Sequence, residues 1–281
     1  LKADDVIYAA RASMRNVSMK NAPLDSTISN GLLNLDLNTS GMTISGNAEM
    51  NGEPVLVDWR ENFKDTEDLR SRYDVTGIVD DAFLRGVGID FDPYIAGSAK
   101  IDLTYQSFRR HPSVLDIDAE MTESVITADV LNWTKPAGVP GDLSLRMVLL
   151  PEGGARLEGV TLKTEEMDAS GTVLLGEDFS TIMRVDIDHL DYRGNDAKGV
   201  IKRRPDGGLS IDAEGSRFDI NHFLETDRGD PAEEEPGLPF DLMASFDEIV
   251  AGAQRRLEDV AVTMAHDGED VRELRLDARV A

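Results

Sequence analysis

Apolar and polar residues alternate with a period of two along most of this chain. The clearest run is 181–190, where Met183, Val185 and Ile187 fall on one side and Arg184, Asp186 and Asp188 on the other. Strand side chains alternate between faces. The run therefore predicts a strand with one dry and one charged face. Its surroundings repeat the theme, with strands predicted over 156–164, 169–175, 181–188, 197–203 and 209–214. Turns separate them at Gly176-Glu177-Asp178, Gly194-Asn195-Asp196 and Pro205-Asp206-Gly207-Gly208.

The same alternation runs upstream. Leu33, Leu35 and Leu37 interleave with Asn34, Asp36 and Asn38; Ile101, Leu103 and Tyr105 share a side. Leu115, Ile117, Ala119 and Met121 alternate with Asp116, Asp118 and Glu120, and Leu143, Leu145, Met147 and Leu149 with Asp142, Ser144 and Arg146. Asn51-Gly52 between two such runs is a strong hairpin signal. About fifteen strands at this spacing predict an all-β architecture. Short turns predict antiparallel neighbours in meanders.

Few segments depart from the pattern. Asp80 to Gly86, with Asp at the cap and Gly at the end, predicts a short helix. A second is predicted over 217–225, with Phe218, Phe223 and Leu224 inward. Residues 4–15 have helical propensity but ragged apolar spacing, and 17–19 reads equally as strand. In 247–259, helix propensity competes with Gly252 and with strands on both sides. A loop is expected there, with strand resuming near Leu257. The acidic, proline-rich 227–239 reads as a linker. The expected division is thus a β-rich region over 1–226, the linker, and a further β region over 240–281.

Composition narrows the function. The 281 residues suit one large β domain or two ordinary ones, and only 6% are aromatic. A net charge of −25 repels nucleic acid and anionic lipid headgroups, which need clustered Lys and Arg. The absence of cysteine excludes disulfides, thiolate catalysis and Cys-ligated metals. No run of 18 apolar residues and no signal peptide occurs. The chain starts at Leu1 and stops in mid-pattern at Ala281, so it is expected to be a piece of something longer, with any anchor outside it.

Chemistry-bearing patterns are sparse. His111, His189, His222 and His266 share no ligand spacing. The pairs Asp90/Asp92, Asp116/Asp118 and Asp186/Asp188 would share a face about 7 Å apart on a strand, a spacing usable for acid–base work or Ca²⁺. They recur on strand after strand, however, as a wetted outer face would. Lys202-Arg203-Arg204 caps a turn. What remains is the dry face, read either as the core of a sandwich or barrel or as the open floor of a groove. Composition alone favours the core.

A resemblance shifts that balance. The order of Gly52–Phe63, the 77–97 segment with Gly88, and Trp133-Thr134-Lys135-Pro136-Ala137-Gly138-Val139-Pro140-Gly141 resembles the YhdP-like branch of the bacterial AsmA-like proteins. The strands carrying Gly159, Gly171 and Gly199, then 215–224, continue the likeness; 242–280 resembles the start of the AsmA-like C-terminal region. The resemblance implies a long, curled antiparallel β-sheet of the AsmA/TamB type with one or two short helices. It implies a hydrophobic groove, an inner-membrane anchor outside this chain, a periplasmic location, and phospholipid movement toward the outer membrane. No catalytic residue and no cofactor or metal come with it. Phospholipid acyl chains are the expected partners, lying along Leu115, Ile117, Met147, Leu149, Val173, Met183, Val185 and Ile187. The alternative expectation is a structural or adhesive cell-surface β module stabilised by Ca²⁺.

Overall fold

In a computed structural model, residues 7–22, 26–86, 94–128, 131, 133–221, 237–252 and 255–280 are described. They form eighteen strands and one short helix. In order these are β1 (Ala9–Ala22), β2 (Ser26–Asn38), β3 (Gly41–Met50), β4 (Glu53–Asn62), β5 (Leu69–Asp80), α1 (Asp81–Gly86), β6 (Ile95–Phe108), β7 (Val114–Glu120), β8 (Ser124–Ala128) and β9 (Trp133–Lys135). Then come β10 (Gly141–Leu149), β11 (Ala155–Thr164), β12 (Met167–Leu175), β13 (Ile182–Tyr192), β14 (Asn195–Arg203), β15 (Leu209–Asp219), β16 (Phe240–Ala251), β17 (Arg255–His266) and β18 (Val271–Val280).

The sheet is built chiefly as a meander. Strands β1 to β7 pair in sequence order, β7 pairs with β10, and β10 to β18 again pair in order. Local chemistry sets the turns. Asn51 (φ 50°) and Gly52 (φ 96°) supply the left-handed pair that a two-residue hairpin needs between Met50 and Glu53. Asp80 caps α1, its Oδ1 accepting the Phe83 N–H at 2.8 Å. Strands β8 and β9 leave the ladder. They pair off Ile95–Gly97 at the start of β6 and form a small lobe.

Among the described residues β1 pairs only with β2 and β18 only with β17, so the sheet is open at both edges and does not close into a barrel. It curls nevertheless. Met14 of β1 and Leu115 of β7 line one cavity of about 260 Å³. Six ladder steps separate these strands, roughly 29 Å if the sheet were flat. A single cavity of that volume touches both only if the sheet wraps around it.

Several expectations need correction. The described residues form eighteen strands, not about fifteen. Residues 9–22 form a strand, because β2 supplies a pairing partner that outweighs their helical propensity. Arg217 to Asp219 are strand, not helix, since β16 lies alongside; Phe223 and Leu224 lie outside the described residues. The loop expected over 247–259 is a hairpin, with Glu248 opposite Glu258 and Ala251 opposite Arg255. One pairing breaks the antiparallel rule: β15 and β16 run parallel, Leu209 opposite Phe240 and Asp219 opposite Val250. Strands β16 to β18 thus extend the same sheet. Most of the expected linker, through residue 236, lies outside the described residues.

Candidate functional site

Cross-strand register turns the separate dry faces into one surface. A row of directly opposed residues runs Ala12–Leu35–Ile44–Trp59–Tyr73–Tyr105–Leu115–Met147, and on through Leu157–Val173–Val185–Ile201–Ile211–Leu242–Met264–Leu274. It takes one apolar or aromatic residue from each of the sixteen strands outside the lobe. A parallel row runs Ala48–Val55–Gly77–Ile101–Ala119–Leu143–Leu162–Ala169–Leu190–Ala197–Gly215–Phe246–Val260.

The opposite face is polar. Asp58, Asp74, Thr104, Asp116, Arg146 and Glu158 stand in register there. Its carboxylates are engaged by neighbours. Arg146 Nε donates to Asp116 at 2.6 Å, Arg184 pairs with Asp186, and Arg72 makes a two-pronged contact with Asp74. The Arg72 hydrogen bond holds the Asp74 carboxyl below the usual carboxylate range.

The cover over the dry face differs along its length. The lobe packs on it. Ile126 and Trp133 form one buried cluster with Met121, Met167, Leu190 and Tyr192. Trp133 Nε1 donates to Glu166 at 3.2 Å, and the Lys135 ammonium donates to the Ser124 and Pro136 carbonyls at 2.8 and 3.2 Å. Burial lowers the Lys135 pKa. Phe83 of α1 joins the same cluster. Under β1 to β7 the curl encloses the 260 Å³ cavity, lined almost wholly by apolar atoms. From Val173 to Met264 the first row is half-buried, and Leu274 at its end is 61% exposed. The dry face is thus a filled core beneath the lobe, and beyond it the first row is half-buried up to the exposed Leu274, while Phe246 and Val260 of the parallel row stay buried.

The residues expected to hold acyl chains fall as follows. Leu115, Met147, Val173 and Val185 stand in the first row. Ile117 and Ile187 belong to the next one, opposite Leu103 and Gly171. Leu149 faces Ala155 at the rim. Met183 departs from simple alternation. Ile182 pairs with Leu175 and Arg184 with Leu174, which leaves Met183 at a bulge, 40% exposed. Asp188 sits at a second irregularity, between Ile187 opposite Gly171 and His189 opposite Ser170, so its expected pairing with Asp186 on one face is not a regular one. Asp90 and Asp92 lie outside the described residues.

Sequence reading passed over the aromatic end of the floor. Trp59 stacks on Tyr73 with centroids 5.1 Å apart, and Tyr73 meets Tyr105 at 5.9 Å. Glu61, two residues beyond Trp59 and so on the same face, is opposite Ser71. The signal was present. Val55, Val57, Trp59 and Glu61 share one parity.

Among the described residues no three His, Asp or Glu side chains converge as metal ligands, and no helix is long and apolar enough to cross a membrane. No family model, curated protein or solved structure matches the chain.

Proposed function

We propose that this chain is a periplasmic segment of an AsmA-like, YhdP-like envelope protein, and that its dry face carries phospholipid acyl chains between inner and outer membrane. The reading rests above all on the in-register row from Ala12 to Leu274, apolar or aromatic on each of the sixteen strands outside the lobe and half-buried over its second half. Acyl chains bind by area burial and need no catalytic group. A strip continuous across strands lets a chain shift from one position to the next without crossing a polar barrier. The charged outer face and the open edges suit a sheet that serves as one length of a longer conduit. In this reading the protein is not an enzyme, and its membrane anchor belongs to the full-length protein.

Native mass spectrometry of gently purified protein tests the reading. Phospholipid adducts released by mild activation are expected. A lipid-free protein that also fails to take up lipid from vesicles would overturn it.

A further inference from the structure

The aromatic end of the floor carries chemistry that chain binding alone does not require. In the sixteen-residue row all three rings are consecutive, Trp59, Tyr73 and Tyr105, and they close the apolar cavity on one side. Directly beyond them stands Glu61, its side chain only 16% exposed. One carboxylate oxygen accepts from Ser71 Oγ at 2.6 Å and Trp59 Nε1 at 3.2 Å. Among the described residues the other meets Arg70 Nε, at 3.4 Å, and that side chain is 60% exposed. Glu61 also helps burial to raise the Tyr73 pKa. The apolar cavity is bounded here by the three rings, and the oriented carboxylate stands outside its lining, two residues beyond Trp59 on β4; together they suit an alkyl chain with a positively charged amine head. Ring faces attract ammonium through their quadrupole, and the carboxylate supplies the counter-charge. The loosely held Arg70 contact is the one an incoming ammonium replaces.

We infer that Trp59, Tyr73, Tyr105 and Glu61 form a headgroup site that selects amphiphiles with an ammonium head over neutral or anionic ones of equal chain length. This rests on the groove reading above and adds a head preference to it.

Calorimetric titration with decyltrimethylammonium, decanol and decyl sulfate, each below its micelle concentration and at physiological salt, tests it. The ammonium probe should bind about tenfold tighter than decanol, the range of a desolvated cation–aromatic contact with a counter-ion. Glu61→Gln keeps an acceptor for Ser71 and Trp59; it should cut the preference below about threefold and leave decanol affinity unchanged. Glu67→Gln, at an exposed carboxylate nearby, should leave the preference intact and so controls for the overall negative charge. Trp59→Leu keeps an apolar floor and should lower the preference independently, even if Glu61→Gln perturbs folding. A preference that survives Glu61→Gln and Trp59→Leu, or that falls equally in Glu67→Gln, overturns the inference. Equal binding of all three probes overturns it and leaves the groove reading standing; binding of none overturns both.

Discussion

The ring of Trp133 meets that of Tyr192 edge-on, with centroids 6.3 Å apart and planes at 74°. One ring comes from the lobe and the other from the main sheet, so this contact seats the lobe on the dry face. Trp133→Ala removes the anchor together with its hydrogen bond to Glu166. A loss of about 3–5 kcal/mol is expected, the range for deleting a large buried ring. Chemical denaturation measures it. Hydrogen exchange should show β8 and β9 losing protection ahead of β12 to β14, because among the described residues the lobe pairs with the sheet only through Ile95–Gly97.

Gly171 tests how the sheet bends. It pairs with Ile187 at a register shift, and a Cβ there would run into the Asp186 carbonyl oxygen. Gly171→Ala therefore forces β12 and β13 apart. A destabilisation of about 1–3 kcal/mol is expected, as for overpacking. Gly207→Ala, where nothing stands within 4 Å, is a turn position with φ of 89°. It should cost only the backbone strain of an alanine there, about 1 kcal/mol, and leave the register untouched.

Acid stability follows from two turns. Asp178 accepts the Thr181 hydroxyl and the backbone N–H groups of Thr181 and Ser180, and its pKa falls to about 2. Asp267 accepts the backbone N–H groups of Asp270 and Glu269 and pairs with Arg272, and it too falls to about 2. Depressed carboxylates stabilise the fold above the unfolded value of 3.8 and lose that contribution as pH falls through the folded one. Stability should therefore decline between about pH 4 and pH 2. A doubly substituted Asp178→Asn, Asp267→Asn protein should be less stable at pH 7 and show a flatter decline. Melting curves at stepped pH decide it.

Calcium separates the two readings carried from the sequence. The outward Asp74, Asp116 and Asp186 already have arginine partners. Millimolar Ca²⁺ should leave the melting temperature unchanged. A rise that chelator reverses would instead favour a cell-surface structural module.

How much of this was legible depends on which interaction decides each feature. Alternation at Leu115, Ile117, Leu145 and Met147 announces faces, because burial acts on each strand separately. Register belongs to pairs of strands. That Leu115, Met147, Val173 and Val185 share one row is invisible in any one of them. The bulge that displaces Met183 arises between β12 and β13, so alternation on β13 alone misplaces it. At Glu248–Ala251 the local signal pointed away from a strand, and pairing with β15 on one side and β17 on the other overrode it. The parallel pairing of β15 with β16 has no counterpart in the alternation, since composition marks 227–239 only as a linker. Glu61 was legible only in parity, which places it on the face of Trp59.

Position 201 offers the sharpest test of the half-buried strip. Ile201 stands in the row between Val185 and Ile211, and Val200 beside it points outward between Asp186 and Asp212. Both are half-buried, so lysine is tolerated sterically at either. Val200→Lys places a cation opposite two carboxylates, and cross-strand pairs of that kind contribute about 0.2–1 kcal/mol. That variant should fold at least as stably as the parent and bind lipid as the parent does. Ile201→Lys sets the same charge in the floor. Its long stem reaches toward water, so the sheet survives, while the ammonium interrupts the apolar path. Phospholipid recovered per molecule, measured by mass spectrometry, should fall several-fold for Ile201→Lys and stay unchanged for Val200→Lys. Equal recovery from both would mean that this row is core and not conduit.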